Sequence, residues 1–280
     1  MIFLAQIVSR INTLTNAFGK FVLAPVESLP GWLSNTLISA ITGVLLLIIF
    51  KYTSNQRAIG KIRDNIKANM LALKLFKDSI SVTLLAEARI FKGAFLLLLH
   101  SIIPMLVMII PVSLLLAQMS LWYQLRPLLP GETAVVTAKL NGNIKENQPT
   151  INIGPTPAIE VTVGPVRIFS KQEICWEIKA VENGMHNITF NVGQDKIEKE
   201  LAIGDGYMRV SAMRPALNWA DILMHPAENP FGPDSIVQSV TVDYPERRSK
   251  TSGTDWWLIY FFIASIVFAF LSKPFLKVRI

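Results

Sequence analysis

"GAFLLLLHSIIPMLVMIIPVSLLLAQMSLW" (Gly93–Trp122) holds a single titratable side chain, His100. A helix rises about 1.5 Å per residue, and roughly 20 apolar residues cross the hydrocarbon of a bilayer. The run is too long for one upright crossing and too short for two with a turn. It reads as one long span, kinked near Pro104 and Pro111. Working outward, "LSNTLISAITGVLLLIIF" (Leu33–Phe50) and "WWLIYFFIASIVFAFL" (Trp256–Leu271) carry no charge, and each fits one crossing. The chain of 280 residues is 51% hydrophobic, with the apolar residues gathered in these runs. That concentration marks the membrane class.

Charge sets the expected orientation. Between the first two spans, Lys51–Lys92 holds nine Lys/Arg against three Asp/Glu, 9 − 3 = +6. The tail after Leu271 adds Lys273, Lys277 and Arg279 and no acid. Tyr123–Asp255 holds thirteen Lys/Arg against sixteen Asp/Glu, 13 − 16 = −3. Basic loops stay on the cytoplasmic side, so the N-terminus and Tyr123–Asp255 are expected outside and the C-terminus inside. The pairs Trp122–Tyr123 and Trp256–Trp257 then fall at the outer interface, as an aromatic belt would. The net charge of +7 concentrates beside lipid, where anionic headgroups attract it. It does not mark a nucleic-acid binder. The expected partners are the bilayer and other membrane or envelope proteins, and the expected location is the inner (plasma) membrane.

The N-terminal stretch lacks a basic region ahead of its apolar part, so a cleaved signal peptide is not expected. Ile2, Phe3, Gln6, Ile7, Arg10, Ile11 and Leu14 recur at helical spacing, which suggests a helix on the outer membrane surface or a partial fourth span. Behind the first span, Ile59, Ile62, Ile66, Met70, Leu73 and Phe76 form one helical stripe. Arg57, Lys61, Arg63, Lys67, Lys74 and Lys77 lie largely off it. A break at Asp78-Ser79 and a second helical run, "SVTLLAEARIFKG", suggest an antiparallel hairpin in the cytoplasm. The alternative is a pair of helices lying flat on lipid.

"LRPLLPGE" reads as a Pro/Gly linker. Beyond it, "TAVVTAKL", "AIEVTVG", "VRIFS", "EICWEIKAV", "HNITFNVG", "KIEKELAI" and "YMRVSAM" alternate with a period of two between turn signals. "SIVQSVTVDYP" adds one more strand. The expectation is an immunoglobulin-like β-sandwich. Cys175, the only cysteine, excludes a disulfide framework and reads as a buried strand thiol.

The expected organisation is an amphipathic interfacial segment at 1–31 and transmembrane helices at 32–52, 93–123 and 255–272. A basic cytoplasmic hairpin occupies 53–92, an extracytoplasmic β-sandwich 124–254 and a cytoplasmic tail 273–280.

The sequence carries no G-x-S-x-G, H-E-x-x-H, P-loop or G-x-G-x-x-G in the context each needs, so neither an enzyme nor a cofactor is expected. His186, His225, Glu228 and Asp234 lack metal-ligand spacing. Polar residues within spans are costly and therefore informative. Asn35, Ser39 and Thr42 fall in the outer half of the first span, with Ser34 and Thr36 beside them. Arg89, Lys92, Leu96 and His100 share one face at the cytoplasmic entrance of the second. One reading places Arg89 and Lys92 at the headgroups, with His100 bonded to a carbonyl. The other gathers these residues along a hydrated, cytoplasm-facing groove that eases polar segments into lipid.

"LLLIIFKYTSNQRAIGKIRDNIK" ends a span in Lys51, turns through Thr53–Gln56 and begins a basic helix, and "HSIIPMLVMIIP" is a proline-containing span. In these residues and in its span order the chain resembles the Oxa1/YidC superfamily. It is most similar to the three-span branch, the DUF106-like proteins and the third subunit of the ER membrane complex, here with an added extracytoplasmic β-domain. The resemblance implies an insertase-like or assembly factor without cofactor or catalysis, in which Arg89 and Lys92 stand in for the basic residue of the groove. The alternative is a non-catalytic structural subunit of an envelope complex whose β-domain binds a protein partner.

Overall fold

The computed structural model describes residues 2–23, 28–76, 78–141, 150–193, 195–249, 256–276 and 278. The chain divides into two compact units, Met1–Asn35 with Leu114–Tyr260, and Thr36–Ser113 with Phe261–Ile280. Among the described residues, three helices are long and apolar enough to cross a membrane: α2 (Gly31–Thr53), α4 (Ile80–Tyr123) and α6 (Trp257–Leu276). The N-terminal helix α1 covers Ile2–Leu23, and α3 covers Gln56–Leu75.

In the helical unit, α3 starts where Asn55 accepts the Ala58 amide through its side chain, satisfying a donor that the first turn leaves open. Its end is closed by the Phe76 amide on the Ala72 carbonyl, with Lys74 in the last turn facing the negative helix terminus. Ile59 is buried and Ile62 and Ile66 are half-buried, whereas Met70 and Phe76 of the expected stripe stand exposed. Ile62 and Ile66 lie over Gly93, where a Cβ would come 2.6 Å from Ile66 Cγ1. The helix does not break at the expected boundary at Gly93. The second helix of the hairpin and the span are one element of 44 residues, about 66 Å long, helical through Pro104 and Pro111. Proline removes an amide donor but does not end a helix whose other bonds hold, especially where no water competes.

Where α2 meets α6, Gly43 touches bare backbone. A Cβ there would lie 2.2 Å from the Ser265 carbonyl oxygen. Asn35, Ser39 and Gly43 recur every four residues, the small-residue spacing that lets two helix backbones approach closely.

Among its described residues the other unit holds eight strands: β1 (Thr133–Leu140), β2 (Ile151–Ile153), β3 (Ile159–Ile168), β4 (Glu173–Ala180), β5 (Gly184–Val192), β6 (Asp195–Ile203), β7 (Met213–Arg214) and β8 (Val237–Val242), with a short helix α5 (Trp219–Met224) before β8. They form two antiparallel sheets, ordered β3-β4-β1-β8-β7 and β2-β5-β6. Both contribute to one core, bridged where Trp176 of β4 meets Phe190 of β5 edge-on at 5.6 Å. The order departs from the four-plus-three arrangement of constant-type immunoglobulin domains, since β1 sits between β4 and β8. Alternation locates strands but not their pairings.

Four further expectations change. "AIEVTVG" and "VRIFS" are one strand, β3, whose register against β4 shifts on either side of Val163. Gly164 there has φ +127, and a Cβ would press on Trp176 at 2.8 Å. "YMRVSAM" is not a strand: only Met213 in it pairs, and the Val210 amide donates to the Leu121 carbonyl of α4. "LRPLLPGE" is no loose linker. Leu128 is fully buried in the core, its amide donates to the Ala202 carbonyl, and the Arg126 amide donates to the Pro245 carbonyl. Finally, Trp122, Tyr123 and Trp257 are buried within the protein, leaving Trp256 as the exposed member of the two pairs. Cys175 is half-buried, beside Thr137 Oγ1 at 3.6 Å.

Candidate functional site

The structure separates the expected groove residues into two environments. Asn35 and Ser39 are fully buried and Thr42 is 7% exposed. Asn35 Nδ2 donates to the Trp257 carbonyl at 3.2 Å, and Thr42 Oγ1 donates to the Ile38 carbonyl of its own helix. These side chains are consumed by helix packing. Arg89 and Lys92, by contrast, are exposed, and half-buried His100 donates through Nδ1 to the Leu96 carbonyl at 2.8 Å. That last bond fixes the ring along its own helix, as the headgroup reading of this face expects. Of the basic residues on the first hairpin helix, Arg57, Lys61, Lys67 and Lys74 are exposed and Arg63 is half-buried. Lys77 lies outside the described residues, as do Lys277 and Arg279.

A second cluster forms where α2, α4 and α6 begin or end. The Tyr123 hydroxyl lies 2.7 Å from Ser34 Oγ, its ring stacks on Trp257 at 6.1 Å, and Tyr207 meets it edge-on at 6.0 Å. The Arg247 guanidinium sits 4.1 Å over the Tyr207 ring and donates to the Gly206 carbonyl. Its backbone amide closes the end of α4 on the Gln124 carbonyl. One tyrosine therefore ties three apolar helices to the β-rich body.

The third cluster is charged and buried. Lys199 Nζ is fully enclosed and donates to Glu228 Oε1 at 2.6 Å, to the Ser211 carbonyl at 2.5 Å and to the Glu200 carbonyl at 2.9 Å. Ser211 Oγ donates to the same carboxylate, whose other oxygen accepts the Glu200 amide. Burial pushes the Lys199 ammonium below its usual range, and Glu228 pulls it back. A serine beside a lysine can act as nucleophile and base. Here Ser211 is 1% exposed and Glu228 holds both partners, so the arrangement fastens the loop after α5 to β6. Next to it lies a polar cavity of about 500 Å³ walled by Asn16, Glu198, Glu200, Arg214, Glu228 and Asn229. The Arg214 guanidinium there is already engaged by the carbonyls of Glu198 and Asn229.

Neither a known family, nor a curated protein, nor a solved structure matches the chain.

Among the described residues no three His, Cys, Asp or Glu side chains group closely enough to hold a metal ion. His186 bonds the Glu182 carbonyl, and Glu228 is taken by Lys199. The lysine cluster escaped the reading of the sequence, yet its signal was present. In "KIEKELAI" the inward row is Ile197, Lys199, Leu201 and Ile203, which places a lysine where the period of two demands an apolar residue. Burial of a charge requires a partner, and Glu228 supplies it from outside the strands.

Proposed function

We propose that the chain is a non-enzymatic subunit of the inner (plasma) membrane, crossing it three times, with its N-terminus and residues 124–254 outside and its C-terminus in the cytoplasm. Its outer body is read as a β-sandwich that engages a protein partner of an envelope complex, and its spans anchor the chain in the membrane. The observation that carries this reading is the joint at the end of α4. There the Leu121 and Gln124 carbonyls, the Arg126 amide and the buried Leu128 are all bonded into or packed inside the β-rich body. A protein that needed only an anchor could join the two by a flexible chain. A built joint supports a role in which the body's orientation matters.

The insertase-like reading is the second one, favoured by the packing of Ile62 and Ile66 on Gly93, which holds a basic helix against the start of the second span. The two readings separate on charge. Each charge at a helix centre costs roughly 2.5–3.5 kcal/mol to insert, so a groove that shortens the dry path depends on its own charges. With Arg89→Glu and Lys92→Glu together, insertion of a reporter span is expected to continue unchanged in intact cells. Lost insertion would establish the groove instead. Sidedness is tested in a Cys175→Ala background. A membrane-impermeant maleimide is expected to label Asp205→Cys in intact cells and Lys61→Cys only after lysis; the reverse pattern overturns the orientation.

A further inference from the structure

The helix α1 is amphipathic the wrong way round for a helix docked on a protein. At about 100° per residue, Phe3, Ile7, Ile11, Leu14 and Phe21 fall within an arc of about 80°. They are exposed by 74%, 41%, 37%, 73% and 83%. The opposite face carries Ala5, Asn12, Gly19 and Leu23, all buried. This small and polar face is the one that docks. Asn12 Nδ2 donates to the Ile222 carbonyl of α5, Asn16 Nδ2 donates to the Pro226 carbonyl, and Gln118 Nε2 of α4 donates to Asn16 Oδ1 at 2.7 Å. Gly19 lets the backbone close on Gln118, whose Oε1 would lie 2.8 Å from a Cβ at that position.

We infer that the apolar stripe of α1 lies in the acyl chains of the outer leaflet, with the helix clamped from above by its asparagines. The inference rests on the membrane reading of α4. Lipid is the occupant because α1 is bonded, through Asn16, to a residue of that apolar span. Gln118, which α1 grips, stands five residues before the end of α4 at Tyr123, within the last turns of an apolar span. A helix held at that depth meets hydrocarbon or the headgroup boundary on its free side. Arg10, exposed at the margin of the stripe, is placed to meet lipid phosphate. The docking bonds, made by side-chain amides to backbone carbonyls, fix the rotation of the helix about its axis. A helix free on a membrane surface would set that rotation by lipid alone.

The test uses the full chain with Cys175→Ala in vesicles of phosphatidylethanolamine and phosphatidylglycerol, spin-labelled at single introduced cysteines. Labels at Ile7→Cys, Leu14→Cys and Phe21→Cys are expected to collide several-fold more with oxygen than with a water-soluble nickel chelate, as a label at Ile110→Cys in α4 does. A label at Thr13→Cys, exposed and off the stripe, should favour nickel. Nickel preference on the stripe with oxygen preference at Ile110→Cys overturns the inference and spares the membrane reading. Low access to both probes on the stripe also overturns it, since a second protein surface would then cover the face. Nickel preference at Ile110→Cys removes both. All labelled positions are exposed, so the parent's thermal profile should be retained.

Discussion

Lys199 occupies a row of β6 that apolar residues would fill, and its stability rests on Glu228. Removing one partner of a buried, bonded ion pair leaves the other uncompensated, at a cost of about 3–5 kcal/mol. Lys199→Ala is therefore expected to lower the unfolding midpoint of the full chain steeply. The double variant Lys199→Met, Glu228→Gln should recover much of that loss, and chemical denaturation in nanodiscs measures both. The pair of Arg126 and Glu132, joined by two bonds of 2.8 Å, gives a pH test. The Arg126 guanidinium holds the Glu132 carboxyl below its usual range. The unfolded chain thus takes up the proton first as pH falls. The stabilisation is complete above the ordinary carboxylate range and disappears as pH drops through the lowered folded value. Glu132→Gln should lower stability near neutrality far less than the Lys199 variant does, and should flatten the decline of the unfolding midpoint on the acid side. At this scale the sequence was partly legible. The inward phase of Lys199 can be read from alternation alone, but its partner follows from a loop whose position no periodicity encodes.

Apolar runs and period-two alternation are local signals, so the long helices and most strands could be read directly. Several strands match their expected stretches closely: β1 coincides with "TAVVTAKL" and β4 with all but the last residue of "EICWEIKAV". What failed is what depends on partners. β2 is three residues long, too short to show alternation, and α5 is six. The end of "YMRVSAM" gives the Val210 amide to α4 and the Ala212 carbonyl to the Val242 amide of β8, rather than forming a ladder of its own. Helix contacts were equally hidden, because Gly43 and Gly93 read as ordinary residues of apolar helices. They now make predictions of different size. Gly43→Ala presses a Cβ onto the fixed backbone of Ser265, and overpacking of this kind costs about 1–3 kcal/mol; a lowered midpoint in detergent titrations is expected. Gly93→Ala meets side-chain atoms of Ile66 and Ile62 rather than backbone, so a smaller loss should follow. Gly93→Leu should part α3 from α4, read as faster proteolysis at the 76–79 turn with the thermal profile of the β-rich body retained.

Across the whole molecule, one residue ties more of the chain together than its place at a helix end suggests. Tyr123 joins Ser34, Trp257 and Tyr207. Truncating a buried aromatic to alanine costs about 3–5 kcal/mol, and deleting one hydrogen bond about 1 kcal/mol. Tyr123→Ala should therefore destabilise the full chain strongly and Tyr123→Phe slightly, the difference measuring the ring against the hydroxyl. From the sequence this tyrosine was expected to face the lipid interface, since aromatic pairs at span ends usually mark it. The structure turns it inward because three helix ends converge there and leave a space that only a large ring fills. The residues expected along one groove stand in different surroundings, because spacing along one helix shows which residues share a face but not what covers that face.

The segment read as a linker has a practical bearing on how the β-rich body can be isolated. Leu128 is a core residue of that body, and the carbonyl of Gln124 and the amide of Arg126 are used by residues 245 and 247. An expression boundary drawn at the first proline would cut away a piece of the hydrophobic interior rather than a tether. The soluble fragment worth making begins inside the last turn of the apolar rod, and a chimera that swaps anchors must carry that turn along.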